Sequence, residues 1–253
     1  MATTEGSFVW YELMTGDPAA AEQFYTDVVG WRMTDSGMPD MRYTIANAGD
    51  HPIGGITGFP PDMPDPHPAW TGYVHADDVD EVTGRVQRAG GAQYRAPADI
   101  PGVGRFAVVA DPTGAVFLLF HGNGPTPDPL PMNTPGRVAW HELHTTDWEK
   151  AFAFYQGLFG WEKDNPMDMG EMGTYQIFKI EGVPSGGMMN NKDAPAPFWL
   201  YYFVVDDIDA AAERVTGHGG KIIHGPSEVP GEMWIINAFD PQGAIFALVG
   251  PRK

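Results

Sequence analysis

The sequence predicts an α+β chain in which one small unit, a strand, a helix and about three further strands, is used four times. Two observations predict it. A tryptophan stands seven residues ahead of an aspartate four times, as Trp10/Asp17, Trp70/Asp77, Trp140/Asp147 and Trp199/Asp206, although the 253 residues contain only eight tryptophans. A longer repeat overlies this one. Phe24-Tyr25 with Gly30-Trp31 returns 130 residues later as Phe154-Tyr155 with Gly160-Trp161, and Asp111-Pro112-Thr113-Gly114 returns after 129 as Asp240-Pro241-Gln242-Gly243. The chain therefore reads as two halves of two quarters each, 1–122 and 137–253, joined by a connector at 123–136. There Pro125, Pro127, Pro129, Pro131 and Pro135 exclude helix and favour an extended chain.

Each quarter opens with a strand and passes into a helix. In the first, Asp17 supplies a capping side chain and Pro18 occupies the first turn, where a missing amide costs nothing. Ala21, Phe24, Tyr25 and Val28 then fall at i, i+3, i+4, i+7, and Gly30 supplies the stop. The second quarter has the stripe Val79, Val82, Val86 and Ala89 before Gly90-Gly91. The third has Ala151, Phe154, Tyr155 and Leu158 before Gly160, and the fourth has Ile208, Ala211 and Val215 before Gly219-Gly220. Short β-rich runs follow each helix. Phe106–Ala110 and Ala115–Phe120 flank one Asp-Pro-Xaa-Gly turn, and Trp234–Phe239 and Ala244–Val249 flank the other. Tyr43–Ala46 and Tyr175–Ile180 read as outer strands, each followed by a glycine pair, Gly54-Gly55 and Gly186-Gly187.

Composition narrows the function. With 33 acidic against 15 basic residues, the net charge of −18 opposes binding to nucleic acid or to an anionic membrane surface. The absence of cysteine excludes disulfides, thiolate nucleophiles and sulfur-ligated metal, and fits a reducing compartment. Met1 to Phe8 lacks a basic-then-apolar leader pattern and no apolar run approaches the roughly 20 residues of a membrane span, so a cytoplasmic location is the expectation.

The strand ending in Asp17 or Asp147, the Phe-Tyr and Gly-Trp pairs, the Asp-Asp pairs at 77 and 206 and the two Asp-Pro-Xaa-Gly turns together resemble the vicinal oxygen chelate superfamily of glyoxalases, bleomycin resistance proteins and extradiol dioxygenases. The resemblance spans nearly the whole chain outside the connector. It implies tandem glyoxalase-like domains, each of two βαβββ modules forming an incomplete β-barrel, with four modules in all. It leaves the reaction open, because the fold serves many. In metal-dependent relatives the ligands come from the opening strands, seven residues before the helix-starting aspartate, and from the closing strands, seven residues after the aspartate of the turn. Those places here hold Trp10, Trp70 and Leu118 in the first half and Trp140, Trp199 and Ala247 in the second, none of which can ligate. A fourth family position falls loosely near Ile56 and Met188. No metal and no other cofactor is expected.

Side chains alternate across a strand, so Trp10, Glu12 and Met14 share one face, as do Trp140, Glu142 and His144. A carboxylate in an apolar pocket holds its proton more tightly, which suits general acid or base work, and Glu142 and His144 could share a proton. The bland alternative is that each glutamate binds a neighbouring amide or an arginine such as Arg105. The tryptophans carry two readings as well: aromatic walls, with Tyr201, Phe203, Leu118 and Ala247, around a flat or apolar ligand, or plain core filling. His51, His67, His75, His121, His218 and His224 show no spacing that would bring three onto one ion. The expectation is a binder of a small aromatic or apolar molecule that works without metal. The alternative is a metal-free lyase, isomerase or hydrolase using Glu142, His144 or Glu12, rather than a metal-dependent dioxygenase. Fused halves already supply the module pairing that shorter relatives reach as dimers, which is consistent with a monomer and leaves a homodimer open.

Overall fold

The computed structural model describes residues 4–38, 41–61, 63–124 and 130–253. The expected unit recurs four times. The first quarter contains β1 (Phe8–Thr15), α1 (Pro18–Val29), β2 (Arg32–Asp35), β3 (Tyr43–Ala48) and β4 (His51–Gly58). The second contains β5 (Ala69–His75), α2 (Val79–Arg88), β6 (Ala92–Ile100), β7 (Gly104–Ala110) and β8 (Val116–Gly122). The third contains β9 (Val138–Thr145), α3 (Trp148–Phe159), β10 (Glu162–Asp168), a single 3-10 turn at Gly170–Met172, β11 (Thr174–Ile180) and β12 (Val183–Asn190). The fourth contains β13 (Phe198–Val204), α4 (Ile208–Gly217), β14 (Lys221–Val229), β15 (Met233–Phe239) and β16 (Ile245–Gly250).

The helices start and stop where side-chain chemistry dictates. Asp17 and Asp147 accept from the Ala20 and Lys150 amides, and Asp78 and Asp207 cap the other two helices. Gly30 and Gly160 take the left-handed conformation that ends α1 and α3. The apolar stripes are the buried faces: Ala21, Phe24, Tyr25 and Val28 in α1, and Ala151, Phe154, Tyr155 and Leu158 in α3.

Within each quarter the opening strand pairs in parallel with the last one, and the remaining pairs are antiparallel. The strands follow the order β2-β3-β4-β1-β5-β8-β7-β6 in one eight-stranded sheet and β10-β11-β12-β9-β13-β16-β15-β14 in the other. This is the expected α+β arrangement of two sheet-dominated halves. One detail differs: β3 and β11, read from the sequence as outer strands, lie inside the sheets, because β2 and β10 pair along their far sides. The four-residue β2 and the largely polar β10 carry little apolar alternation, so they leave no strand signal.

By internal contacts the chain forms two compact units, one of Met1–Val9, Thr71–Asp128 and Trp140–Trp199, the other of Trp10–Trp70, Pro129–Ala139 and Leu200–Lys253. The sheets follow the sequence halves, but the units combine the second quarter with the third and the first with the fourth. Within the first unit α2 packs on α3, and within the second α1 packs on α4. Of the connector, residues 125–129 lie outside the described residues. Its end is held in the second unit, where the Gly136 amide donates to the Val204 carbonyl (2.8 Å) and the Trp31 indole donates to the Gly136 carbonyl (2.7 Å). Among the described residues no helix is long and apolar enough to cross a membrane.

Candidate functional site

The four repeated tryptophans share a local chemistry. Each indole N–H donates to a tyrosine hydroxyl, and each of those hydroxyls donates to a carboxylate. In the second unit the Trp70 indole donates to Tyr25 (2.8 Å) and Tyr25 to Asp240 Oδ2 (3.1 Å). In the first unit the Trp199 indole donates to Tyr155 (3.1 Å) and Tyr155 to Asp111 Oδ2 (3.2 Å). Asp111 and Asp240 are the aspartates of the repeated turns. The other oxygen of each collects the turn amides, Thr113, Gly114 and Ala115 for Asp111 and Gln242 and Ala244 for Asp240. Burial, and then the Asp240 charge, hold the Tyr25 hydroxyl well above the usual phenol range. Burial likewise raises the Asp240 carboxyl against the opposing pull of its amide and Tyr25 donors.

These two chains are core. Trp70 and Trp199 are buried. Trp70 packs edge-on against Tyr25 and Phe203, and Trp199 against Tyr155, Phe178 and Phe8. Tyr201, Phe203, Leu118 and Ala247 are buried as well.

The odd quarters differ, because the carboxylate lies on the tryptophan's own strand, two residues on. In the second unit the Trp10 indole donates to Tyr43 (2.8 Å), which donates to Glu12. Burial first, then the Glu12 charge, keeps the Tyr43 hydroxyl far above the usual phenol range, so it remains the donor. In the first unit the Trp140 indole donates to Tyr175 (2.7 Å), and Tyr175 donates to Glu142 Oε2 (2.9 Å). Here the chain extends further. His144 Nε2 lies 2.7 Å from Glu142 Oε1, a contact that needs a proton between the two atoms, although its angle is poor for a hydrogen bond. The His144 ring stacks on Phe198, with centroids 4.7 Å apart and planes 9° from parallel. Its Nδ1 meets the Asn191 amide nitrogen at 3.1 Å. Trp140, Asn191 and Phe198 are partly exposed, while the Glu142 and His144 side chains are each 10% exposed.

Backbone register explains how a tyrosine reaches the glutamate across the strand between them. Glu142 on β9 is paired with Gly187 on β12, and Glu12 on β1 with Gly55 on β4. The Tyr175 ring lies across Gly187 and the Tyr43 ring across Gly55, so a Cβ on either glycine would overlap the ring. The neighbouring Gly186 and Gly54 face the carbonyls of His141 and Tyr11 just as closely. The glycine pairs noted in the sequence thus open a passage for the phenol and let the strands approach. Sequence reasoning did not find Tyr43, Tyr175 or Asn191. The available signal is that each tyrosine precedes the second glycine of its pair by 12 residues, Tyr43 to Gly55 and Tyr175 to Gly187.

The structure brings Trp140, Glu142 and His144 together, and places Trp10 and Glu12 in the matching arrangement with the half-buried Met14 at the position of His144. Arg105 serves neither glutamate; it pairs with Asp80 and Asp99. Ile56 and Met188 are fully buried. Two surface grooves, one of about 530 Å³ between Arg85, Pro112, Lys150 and Leu158 and one of about 410 Å³ between Glu22, Met33, Met38 and Arg42, are lined by neither Glu12 nor Glu142. The geometry of the Trp140 site, rather than the size of those grooves, makes it the candidate.

The family model described as the Glyoxalase/Bleomycin resistance protein/Dioxygenase superfamily matches residues 7–119 and 137–248. CFP32 of Mycobacterium tuberculosis, whose name makes it a candidate glyoxylase, is 33% identical over 251 residues, covering 98% of this chain and 95% of its own. The anthracycline biosynthesis protein DnrV of Streptomyces peucetius is 33% identical over 264 residues, covering 98% and 94%. Among solved structures, the 2,3-dioxygenase LapB from Pseudomonas sp. KL28 superposes with a TM-score of 0.68 at 14% identity, over 100% of this chain and 94% of its own. The Mn(II)-bound glyoxalase from Novosphingobium aromaticivorans gives 0.67 at 15%, over 99% and 83%. At such identities these two likenesses speak for the fold alone. Two matched halves, full-length relatives and the recurring strand–helix–strand quarters agree: the chain belongs to the glyoxalase/bleomycin resistance protein/dioxygenase superfamily.

Proposed function

We propose that the protein binds a small aromatic or apolar molecule at the Trp140 site without a metal ion. The observation that carries this reading is the Trp140–Tyr175–Glu142–His144 chain, where a partly exposed indole reaches the carboxylate through Tyr175 and the Phe198 ring stacks on the histidine at its other oxygen. Aromatic faces supply area and stacking, and one oriented polar group supplies specificity. The donor set does not fit a divalent cation. The positions that ligate metal in relatives hold indole, leucine and alanine. Glu142 and His144 supply only two donor side chains, and among the described residues no group of three or more histidine, aspartate or glutamate side chains stands together in a metal-holding arrangement. The names of two relatives, a glyoxylase and an anthracycline biosynthesis protein, both concern small molecules.

A second reading, metal-free proton transfer by Glu142 with His144 in a lyase, isomerase or hydrolase, draws on their 2.7 Å approach. Against it, both nitrogens of His144 already face protein partners. The expected result of a titration with bicyclic aromatic compounds is saturable heat that Trp140→Ala abolishes and Trp10→Ala leaves in place. Equal binding by the Trp140→Ala variant would overturn the assignment of the site.

A further inference from the structure

The hydrogen-bond directions in the Trp140 site determine which ligand chemistry it accepts, given that it binds ligands as just argued. Asn191 Oδ1 accepts from the Asp193 and Ala194 amides, both at 3.1 Å, so its amide orientation is fixed and its NH2 group faces His144. A donor facing Nδ1 requires a lone pair there. This assigns His144 the tautomer with its proton on Nε2, the nitrogen that lies 2.7 Å from Glu142 Oε1. The Tyr175 proton goes to Glu142 Oε2, and the Trp140 indole proton goes to Tyr175. The Tyr175 hydroxyl and the His144 Nε2–H thus meet the two oxygens of one carboxylate, and the indole proton is spent on Tyr175. What the cluster presents to an incoming molecule is aromatic surface and one negative charge, in a chain whose net charge is −18.

We propose that the Trp140 site selects aromatic ligands that carry a positive charge or present an N–H or O–H donor, and rejects aromatic carboxylates and phosphates. An anionic group would meet Glu142 with no proton between them, whereas an ammonium or hydroxyl adds a further donor to the same carboxylate. The first-quarter counterpart has Met14 in place of His144 and no equivalent tautomer relay, so the selectivity belongs to the third quarter.

Isothermal titration of the full chain near neutral pH with three naphthalene probes tests this. The probes are 2-naphthylmethylamine as the cation, 2-naphthol as the neutral donor and 2-naphthoate as the anion. The amine and the naphthol are expected to bind at least about tenfold more tightly than the carboxylate, the order of one charge-assisted hydrogen bond. Glu142→Gln is expected to bring the amine and the carboxylate within about threefold of each other, which separates the local carboxylate from the overall negative charge. If the Glu142→Gln variant fails to fold, the ranking is repeated on the unaltered protein at about 1 M salt, where the Debye length of about 3 Å screens the overall charge; a preference that persists belongs to the local carboxylate, and one that vanishes would overturn its assignment to this site. Naphthoate binding as tightly as the amine would overturn the selectivity while leaving the binding reading intact. An amine preference that survives Glu142→Gln would overturn its assignment to this site. Absence of heat with all three probes would overturn both readings.

Discussion

Gly187→Ala is expected to destabilise the protein by about 3 kcal/mol, the upper range for forcing a methyl into a packed position. The added carbon would overlap the Tyr175 ring, and that ring cannot swing aside without surrendering its donor from Trp140 and its bond to Glu142. Moving the ring would also strand polar groups around it, since Tyr175 and Glu142 are buried. The cost should depend on the phenol rather than on the strand. In a Tyr175→Ala background, Gly187→Ala should cost less than about 1 kcal/mol, because the obstacle is gone. Denaturant melts of the four proteins in this cycle measure the difference. Equal costs in both backgrounds would mean that Gly187 is required by the backbone pairing of β12 and not by the passage of the ring.

Trp199→Ala is expected to cost about 3–5 kcal/mol, while Trp140→Ala costs about 1–2 kcal/mol. The two residues occupy the same position of the repeat, yet Trp199 is buried among Tyr155, Trp161 and Phe178 and Trp140 is partly exposed. Truncating Trp199 leaves a core cavity and removes the indole donor of the buried Tyr155, whose own hydrogen bond holds Asp111 in its turn. Truncating Trp140 also removes the donor of its tyrosine, Tyr175, but the indole is partly exposed, so no enclosed cavity is left. Urea unfolding of both variants checks the order, and similar losses would contradict the division of the four tryptophans into two core and two site residues.

That division was partly legible in the sequence. The residue two places after each tryptophan is Glu12, Gly72, Glu142 and Tyr201, so only the odd quarters put a carboxylate on the indole's face. The helices were legible too, because an aspartate cap, a period of 3.6 and a left-handed glycine are local signals that survive in any context. Three features were not. β2 and β10 lack an apolar rhythm. Tyr43 and Tyr175 reach their glutamates across an intervening strand, which depends on a register that only the folded sheet fixes. The pairing of the second quarter with the third, and of the first with the fourth, within the compact units involves four copies of one strand–helix pattern, among which local sequence cannot choose. Asn191 follows the same logic. An asparagine in a polar run between strands reads as a turn residue, and it is one, through Asp193 and Ala194, while its other end orients His144.

The account stands on a site built from indole, phenol and one carboxylate in place of a cation cage. The most direct test is the affinity for 2-naphthylmethylamine before and after exhaustive chelation, with the metal content of both preparations counted. The account predicts the same affinity in the stripped protein and no gain when manganese, iron, nickel, magnesium or zinc is returned. Affinity that disappears on stripping and returns with one equivalent of a divalent ion would contradict it.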